Sequence, residues 1–242
     1  MKILNLGCGT KVSAIPDVIN IDWSIYLRIR SNRLLRAVAP VFVRGQRLAQ
    51  LNSIPDNIMV YDLSKGIPFE ANSVDVVYHS HLLEHLDRKA AKQFLLEVKR
   101  VLKEGGVQRI VVPDFEKLCR TYIAHIALCE QNPEEVGNHD NILGTIIEQS
   151  VRKESYGTSQ QKCLRKFVEN VVFGDARKRG ETHQWMYDRV SLCALLTSLG
   201  YRNCLIRQFN SSAISDWSRY GLEVDEFGRE YKKGSLYVEA LK

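Results

Sequence analysis

Lys2-Ile3-Leu4-Asn5-Leu6-Gly7-Cys8-Gly9-Thr10 and Val18-Ile19-Asn20-Ile21-Asp22 decide how this chain is read. The first stretch is a buried strand that runs into a glycine turn. The second is another strand, tipped by an acid. Gly7 and Gly9 reach backbone angles closed to other residues and let the main chain approach a ligand closely. An acid at the tip of the next strand can hydrogen-bond a ribose diol. The pair predicts the nucleotide-handling end of an α/β sheet. The dinucleotide fingerprint Gly-x-Gly-x-x-Gly is incomplete, because Val12 stands where the third glycine belongs.

Working outward, strand one is Ile3–Leu6, strand two Val18–Asp22 and strand three about Met59–Asp62. Val74–Tyr78, apolar on both faces, reads as a central parallel strand. Residues 87–104 read as a helix. Ala91, Phe94, Leu95, Val98, Val101 and Leu102 recur at three- and four-residue spacing, Asp87 can cap the start and Gly105 the end. Val107–Val112 is strand five. Residues 115–185 carry helical stretches with His125, Cys129 and His139 and no early strand pattern, which predicts a helical insert or cap. Asp188 caps a helix bearing Leu192, Leu195, Leu196 and Leu199 that stops at Gly200. Cys204–Phe209 and Leu236–Leu241 are the last strands. Strands alternating with helices imply a doubly wound, mostly parallel sheet in a single domain. A basic excursion is expected at about 24–57.

Composition is that of an ordinary globular chain, with 45% apolar and 26% charged residues. No run of eighteen apolar residues predicts a membrane span. The N-terminal stretch does not read as a signal peptide, because Gly7 and Gly9 interrupt its apolar core. Cys8, Cys119, Cys129, Cys163, Cys193 and Cys204 are scattered without Cys-x-x-Cys spacing. They read as small buried hydrophobes in a reducing cytosol rather than as disulfides or zinc ligands, so no metal is expected. The net charge of +6 permits anionic partners without requiring nucleic acid. Arg28, Arg30, Arg33, Arg36, Arg44 and Arg47 fall within residues 28–47 without one acid, interleaved with apolar residues. Two readings stand: a solvated helical excursion, or a basic segment for an anionic membrane surface, a phosphorylated substrate or RNA.

Further motifs follow in order. Tyr61-Asp62-Leu63 ends a short apolar run. Ser73-Val74-Asp75-Val76-Val77-Tyr78 leads into His79-Ser80-His81-Leu82-Leu83-Glu84-His85-Leu86, and later comes Val101-Leu102-Lys103-Glu104-Gly105-Gly106. With the glycine turn, this order resembles the class I S-adenosylmethionine-dependent methyltransferases. More narrowly it resembles their type 11 branch, whose fourth strand leads into a Leu-Glu-His turn. The resemblance is dense over about residues 1–114. It implies a Rossmann-like sheet with an antiparallel last strand between strands five and six, and S-adenosyl-L-methionine as cofactor. By that resemblance Gly7, Cys8 and Gly9 form the cofactor turn, Asp22 holds the ribose, and Asp62 contacts the adenine amino group with Leu63 beside the ring. Ser80 lines the methionine side. Asn5 stands two positions before the first glycine, where family members commonly have an acid; it counts as a cofactor-binding candidate whose amide can still accept a hydrogen bond, without the charge pairing to the amino-acid tail.

Methyl transfer from a sulfonium is an in-line displacement, so the protein mainly aligns nucleophile and methyl. A hydroxyl acceptor also needs a base, and histidine suits neutral pH. His81 and His183 are the candidates; His85 is assigned to holding the Leu-Glu-His turn together. Trp185 and Tyr187 either wall an acceptor pocket or belong to a packed linker ending at Asp188. The expected activity is methylation of oxygen or nitrogen on a small molecule or sugar intermediate. By resemblance this extends to surface-glycan assembly, and the expected location is cytoplasmic, with a membrane-peripheral one as the alternative. The competing readings are an RNA methyltransferase and a non-catalytic cofactor-binding scaffold.

Overall fold

A strand of four apolar or amide side chains with no polar face can be stable only when both of its faces are covered. In the computed structural model, which describes residues 1–24, 27, 56–149 and 182–242, Ile3–Leu6 (β1) is buried along its whole length. Val18–Asp22 (β2) and Val74–Ser80 (β4) flank it in parallel, and Ile58–Val60 (β3) lies outside β2. The register pairs Leu6 with Ile21 on one side and with His79 on the other. Gly7, Asp22 and Ser80 therefore leave the sheet at one level, at the carboxyl ends of their strands.

Arg88–Val101 (α1) follows β4. Asp87 accepts from the Lys89 and Ala90 amides, both at 2.9 Å, and so caps the helix as expected. The helix buries Ala91, Phe94, Leu95, Val98 and Val101, the apolar stripe read from the sequence. It stops earlier than Gly105. Leu102 is already extended and begins Leu102–Pro113 (β5), whose register against β4 slips between Val74 and Val76. Gly105, with φ +73°, sits in that irregularity instead of ending the helix.

Phe115–Gln131 (α2) and Val136–Gln149 (α3) occupy the first half of the stretch read as a helical insert. The chain returns to the sheet through a bridge between Asp114 and Tyr187. Arg189–Ser198 (α4) begins with a capping box between Asp188 and Ser191. Arg202–Arg207 (β6) and Ser235–Leu241 (β7) complete seven strands in the order β3-β2-β1-β4-β5-β7-β6. β7 is antiparallel to both neighbours and enters between β5 and β6, as the resemblance implied. β1 and β2 have the bounds read from the sequence, and β3, β4, β6 and β7 differ from theirs by one or two residues at one or both ends. The basic excursion lies almost wholly outside the described residues.

Cys193 and Cys204 overturn the reading of six free thiols. Gly200, with φ +79°, turns the chain from α4 into β6 and brings their Cα atoms to 5.8 Å, where a disulfide joins them. Cys8, Cys119 and Cys129 are free.

Alternation along the strands divides the core. Leu4, Leu6, Val77, Ile110 and Val238 pack with α1 and α4 on one face. Ile3, Val76, Tyr78, Val111 and Tyr237 pack on the other against Trp217 and Tyr220, from the 208–234 connection. That second face also holds Arg109, 0% exposed, in the middle of β5. Its guanidinium donates to Glu223, Glu239 and the carbonyls of Gln208 and Ser211, which uses all five of its N–H groups. Removing one partner from such a buried network leaves an uncompensated charge, at a cost of about 3–5 kcal/mol.

His79 is fully buried beside Gln108 Nε2, at 3.2 Å, and edge-on to Phe94. Burial lowers its pKa to about 4, against an opposing pull from Glu84. The unfolded chain takes up this proton near pH 6.5. The stability contributed by a neutral His79 is therefore full above about pH 6.5, is lost as pH falls toward 4, and changes no further below that. The loss amounts to about 3 kcal/mol. Urea unfolding across this interval should show that decline in the native protein and a shallower one in His79→Leu. Equal slopes for both proteins would show that His79 does not set the pH dependence.

Candidate active site

The glycine turn is fastened to β2 by main-chain bonds. The amides of Gly7 and Cys8 both donate to the Ile21 carbonyl, at 2.8 and 3.3 Å. The Gly9 amide donates to Asp22 Oδ2 at 2.7 Å, and Ser24 donates to Oδ1 at 2.8 Å. Each carboxylate oxygen keeps a second lone pair for a ligand hydroxyl. Gly7 and Gly9 have φ of +64° and +54°. A Cβ on Gly7 would meet the Leu82 side chain at 2.9 Å, whereas one on Gly9 would meet nothing within 4 Å. The turn therefore packs on one side and opens on the other.

Asn5, 2% exposed, explains why no acid stands at that position. Its Nδ2 donates to the Lys11 carbonyl at 3.0 Å and to Asn20 Oδ1 at 2.9 Å. Asn20 in turn binds Ser13 through both its amide oxygen and its amide nitrogen. A carboxylate has no proton to donate and could not make this bridge. Asn5 thus shapes the turn from beneath. Cys8 is buried, and desolvation first, then the charge of Asp22, pushes its thiol up to about 12. It is a packing residue that stays protonated.

Asp62 accepts from the amide and the hydroxyl of Ser64, at 3.0 and 2.7 Å, and caps a short 3-10 turn that opens with Leu63. Leu63 packs partly buried against the main core. Ser80 is half-buried and ends β4. The remaining signal from the sheet's second half was not read from the sequence: Lys11 Nζ donates to the Val224 carbonyl at 2.6 Å and lies over the Tyr231 ring at 4.2 Å. The 208–234 connection therefore reaches back to the glycine turn.

The end of β4 gathers four charged or chargeable side chains. His81, at φ +51°, has Nδ1 3.2 Å from Glu84 Oε1 and Nε2 2.9 Å from the Ser235 hydroxyl at the start of β7. Its side chain is 22% exposed. Glu84 is 0% exposed, and neither of its oxygens receives a well-aligned hydrogen bond. Burial works to raise the Glu84 carboxyl, but His81 and the charge of His85 outweigh it and hold it below the usual carboxylate range. His85 contacts the Thr182 carbonyl through Nδ1 at 3.3 Å, and burial lowers its pKa despite the pull of Glu84. The amides of Gln184 and Trp185 donate to the Glu84 carbonyl. The Leu-Glu-His turn is thus knitted to residues 182–185, the role read for His85.

His183 Nδ1 contacts the Gln149 carbonyl at 2.8 Å, and its ring stands edge-on to His85, centroids 4.9 Å apart. The two candidate bases accordingly border one cluster: His81 on the strand side of Glu84, His183 on the side of the returning chain. Tyr187 is buried in the core and Asp188 caps α4, which follows the packed-linker reading. Trp185 is partly exposed beneath the Arg88 guanidinium, 4.6 Å from its centroid.

Comparison with known proteins bears on this geometry. Residues 4–110 match a family model described as a methyltransferase domain. No curated protein sequence matches the chain. Among solved structures, a SAM-dependent methyltransferase from Archaeoglobus fulgidus is similar at 14% identity and a TM-score of 0.41, covering 100% of this chain and 86% of that one. An S-adenosylmethionine-dependent methyltransferase from Mesorhizobium loti is similar at 14% identity and a TM-score of 0.42, covering 100% and 90%. The DhpI–SAH complex is similar at 13% identity and a TM-score of 0.47, covering 99% and 75%. Among the described residues no helix is long and apolar enough to cross a membrane. The glycine turn, the acid-tipped strands and the Leu-Glu-His turn all lie within the residues that match the methyltransferase-domain model, in a sheet with an antiparallel seventh strand.

Proposed function

We propose that the chain is an S-adenosylmethionine-dependent methyltransferase of the type 11 branch, and that it methylates a hydroxyl oxygen, or a nitrogen, of a small molecule or sugar intermediate, with His81 as the base. The observation that carries this reading is the Glu84–His81–Ser235 chain. With Glu84 ionised, the Nδ1 proton belongs on the carboxylate side, which leaves Nε2 as the ring atom that meets a hydroxyl. Ser235 Oγ occupies that position here, where its hydroxyl also donates to the Lys232 carbonyl at 2.8 Å. An acceptor alcohol entering beside Ser80 would take the same position and lose its proton to Nε2. Glu84 fixes the tautomer and stabilises the imidazolium that results, as a buried acid does for other base histidines. His183 is the second candidate, since it borders the same cluster.

The cofactor, when bound, supplies a methyl group on an already activated sulfonium leaving group. The residues present fit it. Space is open beside Gly9, Asp22 keeps free lone pairs for ribose hydroxyls, and Asp62 with Leu63 follows β3 where an adenine would lie. Asn5 and Cys8 hold the turn's shape, and Ser80 borders the methionine side. The described parts of the stretch read as an insert, residues 115–149 and 182–185, are proposed as a cap that meets the end of β4 through Thr182, Gln184 and Trp185 and excludes water there.

Two outcomes check this reading. Gly9→Ala adds a methyl group that meets nothing in the protein, at a strain of about 1–2 kcal/mol for a positive φ. It should leave the protein folded but weaken S-adenosylhomocysteine binding tenfold or more by calorimetry, about 1.4 kcal/mol. Unchanged affinity would remove the ligand from this turn. His81→Gln should lower methyl transfer by about 10²–10⁴-fold while leaving S-adenosylhomocysteine affinity intact. The assay is transfer of radiolabelled methyl to hydroxyl-bearing sugars and extract fractions. Undiminished turnover in that variant would contradict the assignment of the base.

A further inference from the structure

Away from this site, α2 and α3 bring three soft or borderline donors to one point. His125 and Cys129 are four residues apart on α2, so they share a face of the helix. His139 comes from α3. His125 Nδ1 lies 3.1 Å from His139 Nδ1 and 3.3 Å from Cys129 Sγ. One donor atom from each residue lies within 4.8 Å of the other two. The two imidazole planes lie within 19° of parallel, with centroids 5.3 Å apart.

Protons alone do not satisfy this arrangement. A ring nitrogen has one in-plane position, holding either a proton or a lone pair. As a donor, His125 Nδ1 serves one neighbour and faces the other with nothing. As an acceptor, its single lone pair is asked to serve both. A cation at the point of convergence takes one lone pair from each atom. Ligand atoms at zinc distances and tetrahedral angles are about 3.3–3.6 Å apart, and the two spacings from His125 Nδ1, 3.1 and 3.3 Å, are close to that range. The other nitrogen of His125, Nε2, faces Glu135 Oε2 at 3.8 Å. A carboxylate behind a ligating imidazole is the usual outer partner of such a ligand.

We propose that His125, Cys129 and His139 bind a borderline-soft divalent transition metal of the zinc class, with Glu135 orienting His125. Thiolate and imidazole donors select this class over magnesium and calcium, which take oxygen ligands. Three protein donors leave the fourth corner to solvent, since Cys129 and His139 are only half-buried. The metal joins α2 to α3. These helices otherwise expose Ile123, Ile126, Leu128, Val136 and Ile147, so apolar packing holds them together only in part. The site lies outside the residues assigned to methyl transfer and stands independently of that reading.

The test uses the full chain, reduced and stripped with a chelator, then titrated with Co²⁺ or Zn²⁺. Co²⁺ should bind with tetrahedral visible bands and a thiolate charge-transfer band in the near ultraviolet. Cys129→Ser should abolish the charge-transfer band, and His139→Ala should weaken Co²⁺ binding tenfold or more. Zn²⁺ should displace Co²⁺ and slow alkylation of Cys129 by iodoacetamide at least tenfold, leaving Cys119 unaffected. The alkylation experiment needs no variant and so does not depend on one folding. The proposal fails if no metal binds. It fails equally if the charge-transfer band survives in Cys129→Ser, or if metal binds without a thiolate band or protection of Cys129.

Discussion

The site depends on one constraint: the turn after β1 must stay open to a ligand while every polar group beneath it is satisfied. Backbone amides at a tight turn cannot be left unpaired in the core. β2 answers this need. The Ile21 carbonyl takes two amides of the turn, Asp22 takes the amide of Gly9, and Asn20 reaches under the sheet to Asn5. The side chain that ends β2 and the one that ends β1 are therefore parts of one device. Asp22 fixes the turn and still has lone pairs to offer, so under the proposed function a single carboxylate both shapes the site and takes the ribose. The parallel register places Ser80 at the same height, and the chemistry can follow only because these ends align.

A second constraint acts at the end of β4. Glu84 is buried without an aligned donor, and a buried carboxylate needs positive or polar company. His81 and His85 supply it. His81 in turn touches β7, and the returning chain donates two amides to the Glu84 carbonyl. One buried acid thus connects the central strand, the antiparallel strand and residues 184–185. That is the economy behind the Leu-Glu-His turn: it orders three segments and orients an imidazole with the same side chain.

Much of this was legible from local pattern. Continuous burial in β1 and through most of β4, the stripe of α1, the caps Asp87 and Asp188 and the glycine turn are each set by residues close in sequence. What was not legible is long-range. Arg109 interrupts an apolar strand, and its partners Glu223 and Glu239 lie more than a hundred residues away, so no local signal marked it as buried. Cys193 and Cys204 become partners only once Gly200 folds β6 back beside α4. The end of α1 was misplaced because Leu102 continues the helical periodicity while tertiary pairing with Val74 claims it for β5. Asn5 read as an acceptor in place of an acid; only its neighbours Lys11 and Asn20 reveal it as a donor. The His125, Cys129 and His139 convergence needed two helices side by side, which spacing alone does not supply.

The central claim is that the cofactor lies across the carboxyl ends of β1, β2, β3 and β4, with its sulfur toward His81. A crystal structure of the protein with S-adenosylhomocysteine tests this directly. The account predicts ribose hydroxyls on Asp22, adenine beside Asp62 and Leu63, and the sulfur nearer His81 than the adenine is. A ligand bound elsewhere, or one whose sulfur points away from the Glu84–His81 pair, would contradict it.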